Sequence, residues 1–562
     1  MTTARTSDLW WKNAVVYCLD PETFLDLDGD GRGDLAGVTE RIDYLAGIGV
    51  SCLWLMPFHP TPNRDDGYDI VDHYGVDPRL GSPGDFVALV RTAKDRGMRV
   101  IVDLVVNHTS DRHPWFRDAR RSRTSRYRDF YVWVDEPPPE PSAGVVFPDA
   151  EDGIWTHDPK SGQWYLHHFY SHQPDLNLAN PAVREEIEKI AGFWLELGVD
   201  GFRVDAVPFL IELGGSKPDP AIERDPHELL RDLRSFISRR KGEALLLGEV
   251  NLPPRQLRAF FGGGDGDELQ MAFDFPLMQA TYLALARADA RPITRALARR
   301  PAVPEAAQWA VFLRNHDELT LDQLTEKERE EVFAAFGPDE DMQLYGRGLR
   351  RRLPPMLGND QDRLRMAYSL LFSLPGTPVL FYGEEIGMGE NLAVPGRLAV
   401  RTPMQWTSEV NAGFSPAPPS RLPRPVPEGE FGPLAVNVAD QRRQPGSLLN
   451  WFERVIRRRR ETPELGWGVA SVVEHEGPRA VFVHRCDWEG STVVAAHNLG
   501  PEPCRLSVPV PGADGEEVDR VVDLLDENQP VRPLEVPVLD LELRGYGYRW
   551  LRLQRRGSRT AP

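Results

Sequence analysis

Residues 181–207 read PAVREEIEKIAGFWLELGVDGFRVDAV. The stretch 181–197 carries a helical pattern that stops at Gly198, and the apolar run 201–204 follows at once, delivering Arg203 and Asp205. A helix that ends at glycine and feeds a short apolar run is the repeating unit of parallel α/β folds. The unit recurs along the chain. Apolar runs lie at 14–19, 52–56, 99–106, 201–204, 244–247, 269–273, 309–313 and 378–382, with helical patterns at 35–48, 84–96, 181–197, 227–241 and 361–373 between them. Eight such strands interleaved with helices predict a parallel α/β barrel rather than a sandwich. An open doubly wound sheet is the alternative, but no glycine-rich phosphate turn follows the first run.

Two stretches break this rhythm. Residues 109–178 are rich in aromatics, Pro and Asp and read as an insertion after the third strand. From about residue 465 the pattern changes to short alternating strands such as 479–485 and 492–497, which predicts a separate antiparallel domain. The expected division is barrel at 1–108 and 179–463, inserted domain at 109–178, and a C-terminal β-sandwich at 464–562. Proline-rich 136–142 and 415–430 read as surface loops, and the basic run 457–460 as a solvated helix end complementing the helix dipole.

Composition narrows the function. The chain has 562 residues, 41% of them hydrophobic, enough for a large core and too many for a disordered protein. A formal charge of −19 repels phosphate backbones, so nucleic acid is not expected as a partner. No run of about 18 apolar residues suits a membrane span. The start MTTARTSDLW lacks the apolar core of a signal peptide, so a soluble, cytoplasmic protein is expected. Four cysteines, Cys18, Cys52, Cys486 and Cys504, are too few to staple a chain of this size, and Cys18 and Cys52 sit in apolar runs as reduced core residues. His59, His73 and His113 fit no zinc spacing and read as loop or supporting residues.

Barrel chemistry sits at the C-terminal ends of the strands, whose loops line one open face. Four runs here stop at residues suited to acid–base work: Asp103, Asn107 and His108; Arg203 and Asp205; Glu249 and Asn251; and Arg314, His316, Asp317 and Glu318. Carboxylates converging in one cleft suit glycosidic chemistry, in which one attacks the anomeric carbon and another, about 5–5.5 Å away, protonates the leaving oxygen. Arg203 lies two residues before Asp205, on the same strand face, where its charge would keep Asp205 ionised. Glu249 follows an apolar run, and partial burial would raise its pKa and suit an acid.

At these residues the chain resembles glycoside hydrolase family 13, the α-amylase family, over residues 9–553. DLVVNH at 103–108, QPDLN at 173–177, GFRVDAV at 201–207, GEVN at 248–251 and RNHDE at 314–318 resemble its five conserved regions, in the family's order. The resemblance implies a (β/α)8 TIM barrel with an inserted domain after strand three and a C-terminal antiparallel β-domain. It implies Asp205 as nucleophile, Glu249 as acid/base and Asp317 as the carboxylate that grips sugar hydroxyls, with His108, Arg203 and His316 binding the glucose at the cleaved bond. DDGY at 65–68 resembles the segment that closes the pocket in exo-acting members. There Asp65 would pair with an arginine and Tyr68 would stack on the ring, and RTPMQW at 401–406 resembles the stretch supplying that arginine, Arg401. Such a pocket favours small α-glucosides over starch.

DAVPFL, RNHDELTL, GEEIGMG and RTPMQWTSEVNAGFS resemble the members that interconvert maltose and trehalose. The implied activity is intramolecular glucosyl transfer on small α-glucosides such as those two sugars. The alternatives are an exo-acting α-glucosidase or a transglucosidase using the same carboxylates, and a catalytically dead binding protein, against which all three carboxylates stand. One stretch departs from the pattern: 18–24 reads CLDPETF, where those members carry a Glu- and Arg-containing stretch ending Ser-Phe. DLDGDGRGD at 26–34 alternates carboxylates with glycines, which lets a tight loop turn several oxygens toward a hard cation such as calcium. It fails the EF-hand pattern at position twelve, where Gly37 stands. Oligoglucosidase-type members are the better resemblance. They imply a structural calcium held by the side chains of Asp26, Asp28, Asp30 and Asp34 and the backbone oxygen of Arg32. No organic cofactor is expected.

Overall fold

The apolar runs form the strands of one closed parallel barrel in a computed structural model: β1 Val16–Leu19, β2 Cys52–Leu55, β3 Arg99–Leu104, β4 Gly201–Val204, β5 Leu245–Gly248, β6 Met271–Phe273, β7 Gln308–Val311 and β8 Thr377–Phe381. Each strand pairs with its sequence neighbours, and β1 closes on β8 with Val16 opposite Val379. The open doubly wound alternative is thereby excluded. Every strand end lies within two residues of its expected place. The strands are almost wholly buried because helices cover their outer faces. The structure describes residues 9–138, 144–211, 225, 227–264, 266–509, 518–526, 532–533 and 538–555. Part of the 136–142 loop, from residue 139 on, lies outside them.

Helix 35–48 is in fact two, Leu35–Glu40 and Ile42–Gly47, broken at Arg41, whose guanidinium lies over the Trp406 ring at 4.5 Å. Between β3 and β4 the chain builds a three-stranded antiparallel sheet from Trp133–Val134, Gln163–Leu166 and Trp155–Asp158 around packed aromatics. The returning chain of this insertion ties itself to the end of β3, the Leu176 amide donating to the Asn107 carbonyl at 2.8 Å. That bond hangs the insertion over the face where the barrel strands end.

Beyond residue 468 come a six-stranded antiparallel sheet and a two-stranded one, Cys504–Pro509 with Val538–Leu543, with a common apolar core including Val483, Val494, Val508 and Leu541 between them. Polar contacts dock it on helix Gln361–Ser373: His497 Nε2 and Trp550 Nε1 both meet Ser369 Oγ, at 3.0 and 3.1 Å.

Two expected surface features turn inward. Arg459, in the basic run, is buried and donates to the carbonyls of Phe372 and Gly376, because the end of helix Gln361–Ser373 leaves acceptors that need donors. In the 415–430 loop Ser415 and Arg424 are buried, held by acidic partners on the first barrel turn. His59, His73 and His113 pack as buried rings around Trp194 and Trp115, and burial lowers the first two to about 3 and 4. All four cysteines are free. Among the described residues no helix is long and apolar enough to cross a membrane.

Candidate active site

Arg203, on β4, points into the barrel mouth and is 2% exposed. Its Nη1 donates to Asp103 at 2.6 Å and to Asp205 at 2.5 Å, and its Nη2 to Glu249 at 2.7 Å. One guanidinium thus gathers carboxylates from the ends of β3, β4 and β5. Asp103 also accepts from the Trp54 indole at 2.6 Å. Ala206, next after Asp205, adopts φ 50°, a left-handed conformation that costs a non-glycine residue energy, and its amide donates to Glu249 Oε2 at 3.3 Å.

The acid and base strengths separate. Burial raises Glu249 to about 7, against the pull of Arg203. Burial likewise raises Asp103 to about 6. At Asp205 burial pushes the carboxyl up and Arg203 and His108 pull it down, with burial the larger effect. At Asp317 burial also pushes upward, but His316, Arg397 and Arg401 together hold the carboxyl well below that range. Burial lowers the His316 imidazole to about 4, against the pull of Asp317, whose carboxylate lies 3.0 Å from its Nε2.

Asp317 ends the loop after β7 and accepts from Arg397 at 2.5 Å and Arg401 at 2.9 Å. Tyr68 OH meets His316 Nε2 at 2.8 Å with the rings stacked, and His108 Nε2 meets the Tyr68 carbonyl at 3.2 Å. All nine residues expected to act on the sugar therefore share this mouth. One pairing differs. Asp65 binds Arg397 at 2.6 Å and Gln173 at 2.9 Å, while Arg401 binds Asp66 at 2.7 Å. Neighbouring carboxylates of one turn point to different arginines, and Arg397, four residues earlier on the same segment, reaches Asp65. The guanidinium of Arg397 lies over the Phe147 ring at 4.8 Å, and Tyr170 and Tyr345 pack on that ring, forming an aromatic rim. Asp66, Arg397, Tyr345 and Arg424 escaped the sequence reading. Asp66 alone carried a signal, as the second carboxylate of DDGY.

In the 26–34 loop, Asp26, Asp28 and Asp34 bring carboxylate oxygens within 4.8 Å of one another, an all-oxygen set suited to a hard cation. Asp30 lies outside this group. Its Oδ1 accepts the Arg32 amide at 2.7 Å, satisfying the loop's own backbone, while the Arg32 side chain reaches Glu22 at 2.8 Å. Asp34 caps helix Leu35–Glu40 through the Gly37 amide at 2.6 Å, and a Cβ at Gly37 would collide with the Leu25 carbonyl oxygen, which accounts for glycine where an EF-hand has its last ligand.

Residues 18–335 and 350–468 match the family profile of the α-amylase catalytic domain, and 490–552 that of a sucrose hydrolase-like C-terminal domain. The trehalose synthase/amylase of Mycolicibacterium smegmatis is 43% identical, over 98% of this chain and 94% of its own. The trehalose synthase of Pimelobacter sp. is 40% identical, over 97% and 96%. Among solved structures, an α-amylase from H. orenii superposes with a TM-score of 0.77 at 28% identity, covering 97% of this chain and 100% of that one. A variant of the trehalulose synthase MutB does so at 0.76 and 28%, with the same coverage.

Replacing Arg203 tests its role as shared cation. Arg203→Gln leaves Asp103, Asp205 and Glu249 buried without it, at a cost of about 3–5 kcal/mol. The folded state then binds protons that the unfolded chain has released, so stability falls as pH rises. Without Arg203 both Glu249 and Asp103 rise above their values of about 7 and 6, so the drop in melting temperature is expected to be larger at pH 8 than at pH 5.5. An equal drop at pH 8 and pH 5.5 would refute the shared-cation account.

Proposed function

The chain belongs to the α-amylase family, and from that premise we propose that it interconverts maltose and trehalose by intramolecular glucosyl transfer. The observation that carries the reading is Arg203 holding Asp205 and Glu249 on its two Nη atoms, with Glu249 near 7. In the proposed mechanism Asp205 attacks the anomeric carbon of the non-reducing glucose while Glu249 gives its proton to the glycosidic oxygen, releasing glucose. Glu249, now a carboxylate, takes the proton from the anomeric hydroxyl of that glucose, whose oxygen attacks the glucosyl carbon and frees Asp205. Two inversions return the α configuration. Asp317, ionised and held by Arg397 and Arg401, accepts hydrogen bonds from sugar hydroxyls.

Transfer outruns hydrolysis only if water is kept from the glucosyl–Asp205 bond. The rim of Phe147, Tyr170 and Tyr345, joined to the site by Arg397, which bonds both Asp65 and Asp317, supports that reading. Four free thiols support a reducing, cytoplasmic setting.

Purified protein given maltose is expected to produce more trehalose than glucose by anion-exchange chromatography; glucose alone would replace the isomerase with a hydrolase. Asp205→Asn is expected to lower turnover at least about 10⁴-fold, the scale for losing an activated nucleophile.

We further propose that Asp26, Asp28 and Asp34 hold a structural calcium, supported by their convergent oxygens. At about 100 times its dissociation constant, calcium would add about 2.7 kcal/mol of stability and raise the melting temperature, with a chelator reversing the effect. A calcium response that survives Asp28→Ala would overturn this site.

A further inference from the structure

Two arginines meet on Asp66. Arg401 Nη1 donates to its Oδ2 at 2.7 Å, and Arg424 Nη2 donates to its Oδ1. Arg424 Nη1 also donates to the main-chain carbonyl of Arg401 at 2.7 Å and lies 3.3 Å from Asp20 Oδ2, while Glu22 Oε2 stands 3.6 Å from Nη2. The whole group is buried, its side chains no more than 8% exposed. Arg401 passes the arrangement on, since its Nη2 reaches Asp317 at 2.9 Å and its Nε the His316 carbonyl at 2.7 Å. Arg424 therefore holds Arg401 twice, by its main chain and through its carboxylate partner, and its own carboxylate partners are Asp20, Glu22 and Asp66.

The charges show why a second cation is needed. Asp20, Glu22 and Asp66 crowd together in a dry site where an uncompensated carboxylate is costly. Burial pushes Asp20 and Glu22 up, and Asp66 adds to both. Asp66 moves the other way: burial pushes it up, but Arg424 and then Arg401 more than offset that. Were Arg401 the sole cation on Asp66, Asp66 and Asp317 would share it between them, since Arg32 is held by Glu22. The turn 18–24, which departs from the pattern of the members that interconvert maltose and trehalose, presents Asp20 and Glu22 here and no arginine.

We propose that Arg424 is a positioning residue for glucosyl transfer: it supplies to Asp66, from the 415–430 loop, the cation that the turn 18–24 lacks, and so sets Arg401 against Asp317. The proposal rests on the reading of Asp317 as the residue that grips the sugar, and not on the choice between transfer and hydrolysis.

The test compares wild type, Arg424→Gln, Arg424→Lys and the double variant Glu22→Arg/Arg424→Gln, each assayed on maltose and on 4-nitrophenyl α-glucoside, with melting temperature in parallel. Arg424→Gln is expected to lower kcat/KM about 100-fold, the scale of a misplaced orienting group, with kcat falling more than KM rises. Arg424→Lys keeps the charge but loses the two-pronged grip, so it should recover part of the loss. Glu22→Arg should recover most of it in the Arg424→Gln background, because position 22 lies beside the Arg424 guanidinium that bonds Asp66 and can return a cation there. Wild-type kcat/KM in Arg424→Gln would overturn the proposal. So would a loss that neither Arg424→Lys nor Glu22→Arg repairs while the melting temperature stays intact. If Arg424→Gln fails to fold, Arg424→Lys decides alone: a kcat lowered about tenfold supports the proposal and an unchanged one sinks it. Should wild type release glucose instead of trehalose, the isomerase reading falls while the aryl glucoside still tests Arg424.

Discussion

One buried cation organises the barrel mouth. Arg203 sits where strand ends converge and water is excluded, and three carboxylates from three strands depend on it. A low-dielectric site makes each carboxylate costly alone and strongly attracted to that charge. Because the three share it unequally and Asp317 draws on Arg397 and Arg401 instead, the acid strengths spread apart: Glu249 and Asp103 rise, while Asp317 falls. That spread lets Glu249 hold a proton near neutral pH while Asp317 stays ionised in the same cleft.

Around this centre the long segment 401–424 behaves as a strap laid across the first barrel turn. The Met404 amide donates to the Thr23 carbonyl at 2.8 Å and the Trp406 indole to the Phe24 carbonyl at 2.7 Å. The Asp26 amide donates to the Phe414 carbonyl at 2.9 Å, and Ser415 Oγ reaches the Asp26 carboxylate at 2.5 Å. The strap thus has one end on Asp317, through Arg401, and its middle on the acidic 26–34 loop. Asn411, Ala412 and Gly413, all with positive φ, make the bend that brings Ser415 back onto that loop.

The barrel was legible because its signal is local: each strand is a short apolar run, and each catalytic candidate sits at the end of one. Asp205, Glu249 and Asp317 could be placed by strand order alone. Pairings across hundreds of residues could not. Asp65 and Asp66 are adjacent, and nothing in the chain says that Arg397 takes the first and Arg401 the second, since side-chain direction within a tight turn decides it. Arg424 stands in a proline-rich stretch that reads as solvent-facing, and only the acidic pocket under it, assembled from distant residues, draws it in. Arg459 was hidden in the same way among four consecutive arginines.

The closing seam of the barrel sets an order in time. Strand β1 is apolar along its whole length and gains β2 almost as soon as it is made, yet its other edge has no partner until Val379 and its neighbours exist. At about 5–20 residues per second, a ribosome leaves that edge open for on the order of tens of seconds. An unpaired apolar edge is a template for wrong pairing. The docking of the C-terminal sheet on Ser369 then secures the helix leading into β8 only when the last strand, Tyr548–Arg555, is complete. The barrel is thus closed by the first and last of its own strands, and that seam is braced only after the C-terminal sheet has been made.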